Sequence, residues 1–215
     1  MSWFQDLPDD IADGISSRPS TIYAADGKTE IATFFEENRE PVKLYQISQH
    51  MKDAIVSVED RDFYNHGAVS AIGIGRAFLN NIINSNSGRR QGASTLTQQT
   101  AKNVYLWQGR SWARKALETI YTPMIEALWS KRRILEVYLN VAEFGPGVFG
   151  IHAAAAHHFG TTPDKLSARQ AAALAAVLPA PKTRAAQTRS ARARAIADGA
   201  ATIQRDGRAA CFQDG

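Results

Sequence analysis

Apolar and polar positions follow two different periods along this chain. From Thr21 to Phe35 the pattern is short: Ile22 and Tyr23, a turn at Asp26-Gly27, then Ile31 to Phe35. That arrangement predicts a small β-hairpin. From Ser48 onward the period is helical. A first helix carries Met51, Ile55 and Val58 on its apolar side. A second, Ala71 to Ile83, is weakened by Gly73 and Gly75. Ser111 is placed to cap a helix whose Leu117, Ile120, Tyr121, Met124, Ile125 and Leu128 form a core-facing stripe, which Pro123 is expected to kink or interrupt. Ser130 opens another helix, with Ile134, Leu135, Tyr138 and Leu139 inward. The small-residue helix IHAAAAHHF stops at Gly160, and Ser167 to Gln170 spells a capping box for a helix that ends at Leu178, before Pro179. From Lys182 the chain is rich in Ala and Arg, and Ala193, Ile196, Ala200 and Ile203 would share the inner side of a basic amphipathic helix. The fold class is mainly α with a small N-terminal β-hairpin. The expected divisions are an arm over 1–20, a domain over 21–181 and a basic tail over 182–215.

One stretch departs from ordinary surface patterning. Wound as a helix capped by Ser94, GASTLTQQTAKNVYL puts Thr95, Gln98, Gln99, Lys102 and Asn103 on one stripe. A solvated helix face usually mixes Glu and Lys. This one offers amides and a cation but no carboxylate, which suits an anionic or sugar-like ligand. An exposed polar face is the plainer explanation.

Composition narrows the field. The 215 residues suffice for one domain with a real core, and the formal net charge of +4 suits a phosphate-bearing substrate, an anionic membrane surface or nucleic acid. A single cysteine, Cys211, excludes a disulfide within the chain. No apolar run reaches the ~18 residues needed to span a bilayer. Phosphate-loop, Rossmann and zinc spacings are all missing, and His157 and His158, adjacent on a helix, are expected to point apart. The basic tail lacks an aromatic platform, so no nucleic-acid partner and no organic cofactor are expected. Two glutamates then stand out. Glu59 sits at the edge of an apolar helix face, where partial desolvation would raise its pKa and favour work as a base. Glu118 lies one turn from Arg114 and Lys115. Paired carboxylates around a cationic groove are equipment for glycosyl chemistry.

These residues fall in motifs that resemble a known family. EDRDFYNHGAVS (Glu59 to Ser70), GASTLTQQTAKN (Gly92 to Asn103), RKALE (Arg114 to Glu118), KRRILEVYLN (Lys131 to Asn140) and GVFGIHAAAAHHFG (Gly147 to Gly160) follow the order found in peptidoglycan glycosyltransferases of the lysozyme-like fold. Those are the monofunctional enzymes and the transferase domain of bifunctional penicillin-binding proteins. Two positions depart from the family pattern: Ala68 stands where a Gly is usual and Ser70 where an Asp is usual.

The resemblance implies polymerisation of lipid II into β-1,4 glycan with release of polyprenyl pyrophosphate. By similarity Glu59 is the general base, and Glu118 is a second carboxylate near the donor phosphates or a divalent ion, Mg²⁺ or Mn²⁺. Lys102 and Arg110 would neutralise the pyrophosphate. Ser94, Gln98, Gln99 and Asn103 would position sugar and phosphate oxygens, with Arg114 and Lys115 beside Glu118, while Asp60 and Phe63 shape the groove. Phe78 to Arg90 corresponds to the membrane-facing part of these domains. The implied location is the extracytoplasmic face of the bacterial inner membrane, with other cell-wall synthesis proteins as potential partners, although the usual N-terminal membrane helix has no counterpart here. The rival readings are a glycan-cleaving enzyme of the same fold and a catalytically weak lipid II-binding scaffold.

Overall fold

The computed structural model describes residues 20–23, 30–34, 41–64, 94–106 and 112–207. The expected N-terminal arm, the turn at Asp26-Gly27, the helix from Ala71, the segment Phe78 to Arg90, and Ala68, Ser70, Arg110 and Ser111 lie outside the described residues. Within them, seven α-helices dominate, as the helical periodicity indicates. The N-terminal hairpin is present: β1 (Ser20–Tyr23) pairs antiparallel with β2 (Glu30–Phe34), Thr21 opposite Thr33 and Ile22 opposite Ala32.

The helix bearing Glu59, α1 (Gln49–Glu59), is held at both ends. The Ser48 hydroxyl does not cap it but donates to the Leu166 carbonyl at 2.9 Å. The segment before it is latched to α4 (Lys131–Val141). There Asn140 donates to the Val42 carbonyl at 2.9 Å and accepts from the Val42 amide at 2.8 Å, and Glu136 accepts from the Leu44 amide at 2.8 Å. The polar residues of the fourth motif are therefore architectural, while Ile134, Leu135, Tyr138 and Leu139 are buried as the periodicity expects.

Two helices meet the site from other sides. These are α2 (Leu96–Tyr105) and α3 (Trp112–Leu128), with α2 packed between α3 and α4. The α3 interior differs from expectation. Of the apolar stripe only Ile125 is fully buried, whereas Ile120, Met124 and Leu128 are exposed at 56%, 37% and 45%. Glu118 and Thr122 face inward instead, together with the side chain of Glu126. The cause is pairing: Glu118 meets Arg114 and Lys115, and Glu126 meets Lys131 and accepts from Thr97. Paired charge tolerates an interior that lone charge would not. Pro123 does not interrupt the helix either, since packing against α2 outweighs one lost backbone bond.

After α4 a short hairpin, β3 (Glu143–Gly145) with β4 (Val148–Phe149), leads into α5 (Gly150–Phe159). Gly150 has φ +79°, and a Cβ there would lie 2.8 Å from the Asn140 carbonyl oxygen, so only glycine lets α5 start this close to α4. The rings of His157 and His158, expected to point apart, meet edge-on at 4.8 Å, and His158 Nε2 lies 2.9 Å from the Phe144 carbonyl oxygen. The capping box at Ser167 and Gln170 opens α6 (Ala168–Val177) as read.

The helix predicted beyond Lys182 is α7 (Ala191–Arg205), with Ala193, Ile196, Ala200 and Ile203 all buried. It is not a tail lying outside a domain that ends at 181. It packs on both α1 and α6. Gln204 and Gln49 donate to the wholly buried Asp53 carboxylate, and the Ser57 hydroxyl donates to the Ile196 carbonyl at 3.3 Å. Gly199 is the point of closest approach: a Cβ there would sit 2.6 Å from Ser57 Oγ. Gly199→Ala should therefore cost about 1–3 kcal/mol by overpacking, read as a lower melting temperature. Adding Ser57→Ala should recover most of the loss, and no recovery would place the strain elsewhere.

Candidate active site

Glu59 is the last residue of α1, half-buried where α1 meets the start of α2. Asp60, next along, accepts from the Leu96 amide at 3.2 Å and so ties the two helix ends together. Burial pushes the Glu59 carboxyl above the ordinary glutamate range, against the Gln99 hydrogen bond and the charges of Arg192 and Lys102, which lower it. Gln99 Nε2 donates to Glu59 Oε2 at 2.7 Å, and Gln99 Oε1 accepts from the Tyr138 hydroxyl at 3.4 Å. The amide therefore has one workable orientation, since a carboxylate only accepts. Gln99 links Glu59 to the buried Tyr138 of α4 and fixes the direction of its carboxylate.

The α2 N-terminus differs from expectation by one residue. Thr95, not Ser94, is the cap: its hydroxyl accepts from the Gln98 amide, and the Gln98 side chain accepts from the Thr95 amide, both at 3.2 Å. Gln98 is consequently buried and engaged in the cap, and it is not among the residues that line the cleft that Gln99 lines. Ser94 contributes its carbonyl, 3.4 Å from Gln99 Nε2. Of the predicted stripe, Gln99, Lys102 and Asn103 line a cleft of about 570 Å³ that Arg114 of α3 also walls. Phe63 does not line it. The ring is fully buried, with the Lys131 ammonium 4.5 Å above its centre.

Lys102 is exposed along its length, but protein atoms crowd its ammonium. That desolvation lowers its pKa, as do the charges of Arg114 and Lys115, while Glu118 and Glu59 raise it. Solvent access limits the effect. Glu118 is buried, with one oxygen on Arg114 at 2.7 Å and the other on Lys115. Arg114 reaches the cleft, so Glu118 acts on it by holding that guanidinium. Both Glu118 oxygens are engaged by cations, and no group of three His, Cys, Asp or Glu gathers among the described residues. Among the described residues the positive charge beside the cleft comes from lysines and arginines.

The chain's similarity to known proteins agrees with this arrangement. Residues 27–203 match the profile of the transglycosylase family. The chain belongs to that family. A relative named biosynthetic peptidoglycan transglycosylase, from Jannaschia sp. (strain CCS1), is 47% identical over 198 residues, covering 90% of this chain and 79% of the relative. One of the same name from Pseudomonas putida (strain F1) is 51% identical over 151 residues, covering 67% of this chain and 63% of the relative. Another from P. putida (strain W619) is 54% identical over 135 residues, 63% and 56% of the two chains. The transglycosylase family is a family of glycosyltransferases, so the enzyme class read from the motifs stands.

In this transglycosylase two participants escaped the sequence reading. Tyr138 reads as plain core, and its hydroxyl contact to Gln99 depends on a helix far away in sequence. Arg192 reads as part of a solvated basic run, yet α7 brings its charge close enough to Glu59 to act on the carboxylate. The available signal was the amphipathic period of α7, which already implied docking.

Proposed function

We propose that this transglycosylase polymerises lipid II, joining its disaccharide-peptide units into β-1,4 glycan and releasing polyprenyl pyrophosphate. The observation that carries the reading is a half-buried glutamate with a raised pKa, oriented by Gln99, beside a cleft walled by Lys102 and Arg114. Glu59 takes the proton from the acceptor sugar's 4-hydroxyl as that oxygen attacks the donor's anomeric carbon. The bond from that carbon to the pyrophosphate oxygen breaks, and its electrons leave with the pyrophosphate. Attack opposite the leaving group converts an α-linked donor into a β linkage. Lys102 and Arg114 neutralise the leaving charge, so no acid has to protonate it. A hydrolase would need a proton donor on the leaving-sugar side, where this cleft offers cations.

The polyprenyl tail assigns the reaction to a membrane surface, on the extracytoplasmic face where glycan is assembled. No helix among the described residues is long and apolar enough to cross a membrane. Incubation with labelled lipid II tests the proposal: growth of polymer supports it, and cleavage of preformed glycan or no reaction refutes it. In the same assay Lys102→Ala should lower kcat/KM by roughly ten- to a hundredfold, as expected for a hydrogen bond to a charged group. Parental kinetics would make the Lys102 stripe a solvated face.

A further inference from the structure

Besides Lys102 and Arg114, the wall of the cleft includes Glu143, Phe149 and the chain from Leu178 to Thr183. Glu143 is the sole carboxylate among the residues lining the cleft, facing a space whose other charged residues are Lys102, Arg114 and Lys182. It is half-buried, and its carboxylate makes no hydrogen bond or ion pair among the described residues. Its backbone is fixed: Glu143 pairs with Phe149 across the β3–β4 hairpin, and the Gly150 amide donates to the Ala142 carbonyl at 2.9 Å.

A bare carboxylate in a cleft built for a pyrophosphate is a liability. It repels the donor's phosphates and loses hydration when a ligand arrives. The arrangement becomes favourable if the ligand brings positive charge to Glu143. Resting on the lipid II reading above, the parts of the substrate can be sorted by charge. The phosphates are anionic, the tail is apolar and the acetylated sugars are neutral. Only the peptide can carry an ammonium.

We infer that Glu143 is a specificity residue that receives the ammonium of an amine-bearing residue in the substrate's peptide. The ligand is then read by charge of both signs, phosphate on Lys102 and Arg114 and amine on Glu143. Because the Glu143 side chain is bonded to nothing among the described residues, Glu143→Gln removes the charge without breaking a contact there.

The test uses two forms of lipid II, one with a lysine in its peptide and one with that lysine Nε-acetylated. Both turnover and direct binding are measured, for the parent and for Glu143→Gln, with circular dichroism confirming the fold. The parent should favour the free amine about tenfold in Kd and in kcat/KM, and in Glu143→Gln the two substrates should become equivalent. A parent that binds both forms alike, or a variant that keeps the parent's preference, overturns the assignment. Equal weakening of both forms assigns Glu143 to sugar hydroxyls instead and also overturns it. If the parent binds lipid II but polymerises neither form, the glycosyltransferase reading fails, while the ratio of Kd values still decides Glu143. If it binds neither form, both proposals fall.

Discussion

Glu59→Gln should lower polymerisation of lipid II by roughly 10²–10⁴-fold, the range for loss of a general base, with the helical content unchanged. The amide keeps the shape of the side chain but cannot take a proton. The parent's pH profile should carry the same signature. The base works only when ionised, and burial holds its pKa above the ordinary glutamate range, so kcat/KM should fall on the acid side at a higher pH than a solvent-exposed glutamate would give. Stability runs the other way. A carboxyl with a raised pKa in the folded state contributes stability below its unfolded pKa and loses that contribution as pH rises through the folded value. At pH 7 the ionised Glu59 is therefore a cost to the fold. Glu59→Gln should melt no lower than the parent, and a clear drop in melting temperature together with retained turnover would remove Glu59 from the mechanism.

Glu118→Gln is expected to damage both fold and activity. Removing the charge leaves Arg114 and Lys115, whose side chains are 14% and 19% exposed, against a neutral partner. Breaking such a partly buried set costs about 3 kcal/mol, at the low end for buried pairs because both cations can rehydrate. For a chain of this length that is roughly 5–10 °C of melting temperature. Polymerisation should fall about a hundredfold as the Arg114 guanidinium loses its position in the cleft. Thermal melts and lipid II turnover on one preparation check both parts. An unchanged melting temperature with lost activity would give Glu118 a direct role on the substrate.

The sequence was most legible where structure is local. The caps at Ser130 and Ser167, the inward faces of α4 and α7, and the hairpin of β1 and β2 follow from spacing alone. It was least legible where a side chain's partner lies far away. The α3 stripe illustrates this. Its apolar residues wrap much of the helix, and periodicity cannot choose which edge faces in. The choice was made by Thr97 and Lys131, which draw Glu126 inward. The α2 cap shows a finer limit, because Ser94 and Thr95 can both cap. The glutamine three residues on closes a box with Thr95, and that turns the Gln98 side chain back onto the helix end. Within the site, Glu59 and its raised pKa were readable from its place at the edge of an apolar face. The Gln99 bridge, the Asp60 tie and the charge of Arg192 required helices brought together across the fold.

The seating of α7 on α1 also sets an order of events during synthesis. Ser57 and Ile196 are 139 positions apart, and Asp53 and Gln204 are 151 apart. Contacts over such separations close late, because the intervening chain must be ordered first. The helix carrying Glu59 leaves the ribosome well before its packing partner α7. Until then the side of α1 that carries Asp53 and Ser57 lacks its cover, and a chaperone or chain-binding factor has a defined face to hold.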